Sequence, residues 1–155
     1  RAVSWGQTVK VWIVSYIGNF VGCFVFAGIW VLAGTSGAQD YLAGIIGGKL
    51  SIEPGEMFFR AVLCNFFVCL AVACGTKCKE ETAKFLMIVI CISGFVISGF
   101  EHCIANMALF TAVGFTASGV SISSMLFSML IVTLGNMVGG AVLLALPLRK
   151  MSADK

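Results

Sequence analysis

The chain has 155 residues, 59% hydrophobic and 11% charged, with a mean hydropathy of +1.03 and a formal net charge of +3. Its uncharged stretches run far longer than any soluble core helix needs, which excludes a water-soluble globule and indicates an integral membrane protein. The small positive excess forms no basic stripe, so nucleic acid is not an expected partner.

In chain order the uncharged runs are Val11–Gln39, Ala61–Thr76, Phe85–Phe100 and Cys103–Leu148, and the last, at 46 residues, is too long for one crossing. A hydrocarbon layer takes about 20 helical residues. Four spans are therefore expected, at about 9–33, 56–76, 84–112 and 122–147, in a single transmembrane domain covering 1–155 with a short tail at 148–155. Unpaired backbone amides are too costly in lipid for anything but helices or closed barrels, and no period-2 pattern of ~10-residue strands is present. The expected fold class is all-α.

The first span carries YIGNFVGC, in which Gly18 and Gly22 make a small-xxx-small face beside Asn19. Between the first and second spans lies Lys49. The second span carries RAVLCNFFVCLAVA, with Asn65 and Val68 three apart, close to one helix face. Five of the seven cysteines (Cys23, Cys64, Cys69, Cys74 and Cys91) sit within apolar spans. They read as soft core packing, and Cys74 and Cys78 lack the further ligands a metal site needs. No metal is expected.

The third span contains SGFEHCIANM, with Glu101 and the chain's single histidine, His102, inside an apolar run. From Lys84 to His102 is 18 residue steps, about 27 Å of continuous helix, nearly the whole apolar thickness. A further apolar stretch, 103–119, still has to fit before the fourth span. A break near SGFEHC, with Ser98 and Gly99 supplying flexibility, brings His102 back toward the midplane, and irregular backbone there must face water or protein. Ionisable groups inside a membrane are functional-site candidates, the alternative being a histidine satisfied by a neighbouring helix or one at the outer headgroup level. Phe95, His102 and Asn106, at spacings of seven and four, fall roughly on one face if the segment is helical.

The fourth span carries TLGNMVGG, repeating the first span's pattern as Gly135, Asn136 and Gly139. Two readings are open: ordinary helix-packing motifs, or an internal repeat. Four spans place the first and fourth in opposite directions, so a true repeat is inverted, a frequent transporter plan. It then requires two more helices ahead of the first span. Charge gives the orientation. Arg1, Lys10, Lys77, Lys79, Lys84, Arg149, Lys150 and Lys155 share one side, against Lys49 and Arg60 on the other. Both ends of the chain are therefore expected in the cytoplasm, with the protein in the plasma membrane.

These segments resemble the formate/nitrite transporter family, which includes hydrosulfide channels. RAVLCNFFVCLAVA, SGFEHCIANM and the two GNxxG helices carry the resemblance, which covers nearly the whole chain. It implies six helices in two inverted, aquaporin-like halves, each with an interrupted helix, assembled as a homopentamer with a pore in each protomer. The chain then corresponds to the last four helices, the first helix and the broken second one being absent from it. The resemblance further implies that His102 is the central pore histidine and Glu101 its companion, and that Asn65, Asn106 and Asn136 are the family asparagines. Val68 and Phe95 fall on the outer apolar constriction, Ala105 near the inner one, and Lys49 on the lysine preceding the second span.

These residue types suit a small monovalent anion such as formate, nitrite or hydrosulfide. Lys49 attracts it, asparagine NH groups replace its hydration, and His102 donates a hydrogen bond or a proton. Glu101 is not expected to touch the anion, because like charges repel, but to orient or charge His102 or to pair with asparagine. Membrane lipid is the other expected partner. No catalytic residue is expected, and no cofactor: a haem held by two histidines is impossible with one, and no cluster motif is present. The competing class is a structural or redox subunit of a membrane complex, in which His102 only packs.

Overall fold

A computed structural model describes residues 4–34, 36–114 and 121–153. Arg1 and Lys155, counted above among the cytoplasmic charges, lie outside the described residues. The described residues are helical almost throughout, and they divide into two compact units.

The first unit comprises residues 1–50 and 104–125. Its first helix, α1 (Trp5–Leu32), starts at a capping box: Ser4 Oγ accepts from Gln7 N, and Gln7 Oε1 accepts from Ser4 N. The helix ends where Gly34 takes φ +73° and donates its N–H to Val31 O. Apolar residues are spread around its whole circumference and only Ala27 of its 28 residues is buried, the pattern of a helix with lipid or further protein as solvent. Asn19 turns inward on its own helix, its Nδ2 donating to Ser15 O. The short α2 (Gln39–Leu50) was not anticipated by hydropathy: at 12 residues, with Asp40 and Lys49 near its ends, it is too short and too polar to register in a span-length window. Lys49 sits in its last turn, where the helix dipole favours a cation.

The second unit comprises residues 51–103 and 126–155. Here α3 (Pro54–Lys77) opens with Pro54 in its first turn, where the missing N–H costs nothing, and packs against α4 (Glu81–Ile97). The last span is one long rod. It begins as α6 (Ile122–Met137), widens to π spacing over Val138–Ala145, and resumes as α7 (Leu146–Ala153). Leu146 N donates to Ala141 O, five residues back, one residue ahead of Pro147, which has no N–H to give. Together Ile122–Ser152 make 31 residues long and apolar enough to cross a membrane, as are α1 and α3.

The third expected span is the interrupted one. It is built from α4, 17 residues, and α5 (Cys103–Gly114), 12 residues, separated by 98–102.

Glycines explain how α3 and the last rod approach so closely. A Cβ on Gly135 would lie 2.6 Å from Phe58 O and 2.7 Å from Ala61 Cβ. One on Gly139 would overlap the Val62 carbonyl, and one on Gly140 would lie 2.6 Å from Asn65 Nδ2. Backbone therefore meets backbone along this seam, the membrane-protein use of small residues. Beside it Met57, Ala61 and Val132 form a buried cluster, with Ile52, Cys103 and Ile131 packed on its margin. In the first unit, by contrast, a Cβ on Gly18 or Gly22 would meet nothing within 4 Å among the described residues.

Candidate functional site

The interruption between α4 and α5 is built by local rules. Ser98 caps α4, and Gly99 follows with φ +66°, in the left-handed region that favours glycine. Gly99 N donates to Val96 O and Phe100 N to Phe95 O, each at 3.1 Å, the paired bonds of a Schellman ending. The chain then runs without helical bonding through Glu101 and His102 and re-enters a helix at Cys103.

Opening a helix inside a membrane exposes carbonyls and amides that lipid cannot satisfy, each at a cost of several kcal/mol. Two side chains from neighbouring helices supply partners. Arg60 on α3 donates from Nη1 to Gly99 O at 3.4 Å and pairs with Glu56 one turn back. Asn136, buried near the end of α6, does more. Its Nδ2 donates to Glu101 O at 2.9 Å and to Ala61 O at 2.8 Å, and its Oδ1 accepts from Cys103 N at 2.9 Å. Its main-chain carbonyl in turn accepts from Asn65 Nδ2 at 2.6 Å. The peptide groups on both sides of His102 are thus held by one amide.

His102 itself is half-buried, its ring stacked on Phe95 with centroids 5.8 Å apart and planes 22° apart. The spacing of seven predicted a shared face on a helix; the two rings meet instead across the non-helical stretch that follows the Schellman ending of α4. Glu101 is buried at 1% exposure. Phe100 leans on Phe67 of α3, ring centroids 6.2 Å apart.

Of the residues singled out in the sequence, this second unit brings together Asn65, Phe95, Glu101, His102 and Asn136. Val68, also in it, is half-buried one turn beyond Asn65 on α3. Lys49, Ala105 and Asn106 belong to the first unit: Lys49 half-buried at the end of α2, Ala105 exposed and Asn106 buried on α5. Asn136 was expected to offer NH groups to an anion; both its side-chain hydrogens are instead engaged by protein carbonyls. Arg60, read only as an outer charge, supports the break, as does the carbonyl of Ala61. The signal for Asn136 was present in its neighbour Gly135, which marks a close helix contact, but nothing in the sequence tied Arg60 to Gly99.

The sequence of residues 1–149 matches the profile of the family described as Formate/nitrite transporter. The chain belongs to the formate/nitrite transporter family. It is 33% identical to the formate channel FocA of Haemophilus influenzae over 88% of this chain and 56% of that protein. It is 32% identical to the nitrite transporter NirC of Salmonella typhimurium over 93% of this chain and 55% of that protein. Among solved structures it superposes on an FNT family ion channel with TM-score 0.88 at 31% identity, covering 96% of this chain and 61% of the other. A pentameric formate channel with formate bound gives TM-score 0.85 at 27% identity, covering 97% and 69%. The chain thus spans little more than half the length of these curated relatives. They are channels and transporters, not enzymes, and the apolar helices found here are those of a membrane protein.

Proposed function

We propose that the protein conducts small monovalent anions, formate, nitrite or hydrosulfide, across the plasma membrane, with His102 at the centre of the path. The observation that carries this reading is the placement of His102 in an interruption of an apolar span, as the residue immediately before α5. A helix start carries partial positive charge, and half-helices in membranes present such ends to anionic groups. An imidazole at that point adds a donor, and proton exchange with a weak acid's anion cancels charge where the path is apolar. Glu101, buried next to it, orients or charges the imidazole; a buried carboxylate facing the anion itself would repel it.

The remaining assignments rest on the family match. Asn65 and Asn106 supply NH donors, Lys49 attracts the anion to the mouth, and Val68, Phe95 and Ala105 narrow the path so that hydrated ions do not pass. The same match supports inverted halves for the whole protein and a homopentamer, the assembly named for one of the solved relatives. The distribution of lysine and arginine supports cytoplasmic ends for this chain.

The experiment is flux of each of the three anions into proteoliposomes holding the full-length protein. Uptake of at least one, abolished or slowed by His102→Phe, is expected. A protein that assembles yet passes none of them at any pH between about 5 and 8 overturns the reading.

A further inference from the structure

We propose that Asn136 is a positioning residue for His102: a single amide group fixes the peptides before and after the histidine and sets where the imidazole stands. The proposal rests on the anion-channel reading above. Four bonds at one residue carry it. The Asn136 side chain donates to Glu101 O and accepts from Cys103 N, so it grips the chain one residue to either side of His102. Asn136 therefore fixes the two peptide groups that flank His102 and caps the first amide of α5 from another helix.

The grip is anchored to α3 as well. The second Nδ2 hydrogen goes to Ala61 O, and Asn65 Nδ2 holds the Asn136 carbonyl. Gly135 and Gly139 press the rod against α3 with no room for a methyl group, so Asn136 has little freedom to move. The side-chain amide has two hydrogens, both given to carbonyls, and its oxygen takes the Cys103 amide. No donor is left for an anion. Asn136 thus acts on transport through His102, and a displacement of α6 along α3 reaches the histidine directly through this amide.

The test is a double-variant cycle on the full-length protein in proteoliposomes, with flux of formate, nitrite and hydrosulfide normalised to assembled protein. Asn136→Ala is expected to lower flux to the level of His102→Ala and to give the same altered pH profile, and the double variant to fall no further. Losses that multiply in the double variant overturn the proposal, because Asn136 then acts on the anion independently. Unchanged flux and pH profile in an assembled but less heat-stable Asn136→Ala overturns it too, leaving only a packing role. Asn136→Asp keeps the acceptor for Cys103 N and loses both donors, and is expected to show the same coupling. Should neither variant assemble, hydrogen exchange on the unaltered protein decides: slow exchange at Cys103 N supports the grip, and exchange at the rate of an unpaired first-turn amide overturns it. A wild-type protein that carries none of the anions refutes the channel reading alone, since the exchange measurement does not depend on transport.

Discussion

Asn65 Nδ2 lies 2.6 Å from the main-chain carbonyl of Asn136, and it gets there by passing through the space that a side chain at position 140 would fill. Two residues beyond Asn136 the last rod changes from α to π spacing, and the ladder of backbone bonds shifts from four-residue to five-residue reach. The three glycines at 135, 139 and 140 are therefore parts of one contact, in which two helices approach closely enough for a short amide to bridge them.

That contact predicts a graded response to added methyl groups. Gly139→Ala puts a Cβ into the Val62 carbonyl and Gly140→Ala puts one against the Asn65 amide and Cys69 Sγ. Each is expected to destabilise the assembled protein by about 1–3 kcal/mol, the usual cost of overpacking. Gly55→Ala, in the first turn of α3 where a Cβ meets nothing within 4 Å among the described residues, is the control and is expected to change little. Thermal unfolding in detergent, followed by loss of the assembled species, reads the difference.

Gly99 predicts a different kind of sensitivity, through backbone and not through space. A Cβ there would meet only the Arg60 guanidinium, at 3.9 Å, but the residue stands at φ +66°. Gly99→Ala is expected to cost about 1–2 kcal/mol from left-handed strain alone. It should also loosen the turn between Phe95 and His102. Gly99→Asn, which tolerates this region better, should recover part of the loss. The two variants are compared by thermal midpoint and by anion flux, and both readings are expected to rank glycine above asparagine above alanine.

These residues show how far sequence carries the structure. The break was readable from SGFEHC because length, charge and glycine all pointed to it: a continuous helix from Lys84 leaves no membrane for 103–119. The helix contact was half readable, since GNMVGG announces a close approach without naming its partner. The Asn136 to Ala61 bond joins residues 75 apart, and one sequence carries no periodicity that registers one helix against another. The partners of Asn136 were not legible for the same reason. An amide that looks available to an anion in sequence has its hydrogens taken by backbone that only the fold delivers. The helix α2 was missed because its 12 residues with polar ends resemble a loop to any test tuned to membrane thickness.

Lys49 gives a prediction about capture. Lys49, in the last turn of α2, is a compact point charge of a kind suited to raising local anion concentration. Lys49→Ala is expected to raise the anion concentration needed for half-maximal flux while leaving the maximal rate nearly unchanged, and Lys49→Arg to restore the wild-type value. Screening shortens the reach of such a charge to about 8 Å at physiological salt. The gap between wild type and Lys49→Ala should therefore close as salt rises. A gap independent of salt would show that Lys49 acts by contact or by holding α2 in place.

His102 carries the prediction on which the functional reading depends. The imidazole stacks on Phe95 and is flanked by peptides fixed from outside its own segment, so its backbone does not rely on the ring to stay in place. His102→Phe keeps an aromatic partner for Phe95 and is expected to fold and assemble, while removing every donor and proton the ring supplies. If the histidine exchanges a proton with the anion or donates a hydrogen bond to it, this variant loses flux and loses the dependence on pH between about 5 and 8, where histidine ordinarily titrates. His102→Gln, which retains an NH donor but no titrating group, separates the two roles. Recovery of flux without recovery of the pH dependence assigns the ring a hydrogen-bonding part as well as a protonic one. Flux and pH profile identical to wild type for formate, nitrite and hydrosulfide in an assembled His102→Phe protein would leave His102 as a packing residue and place the anion's path elsewhere.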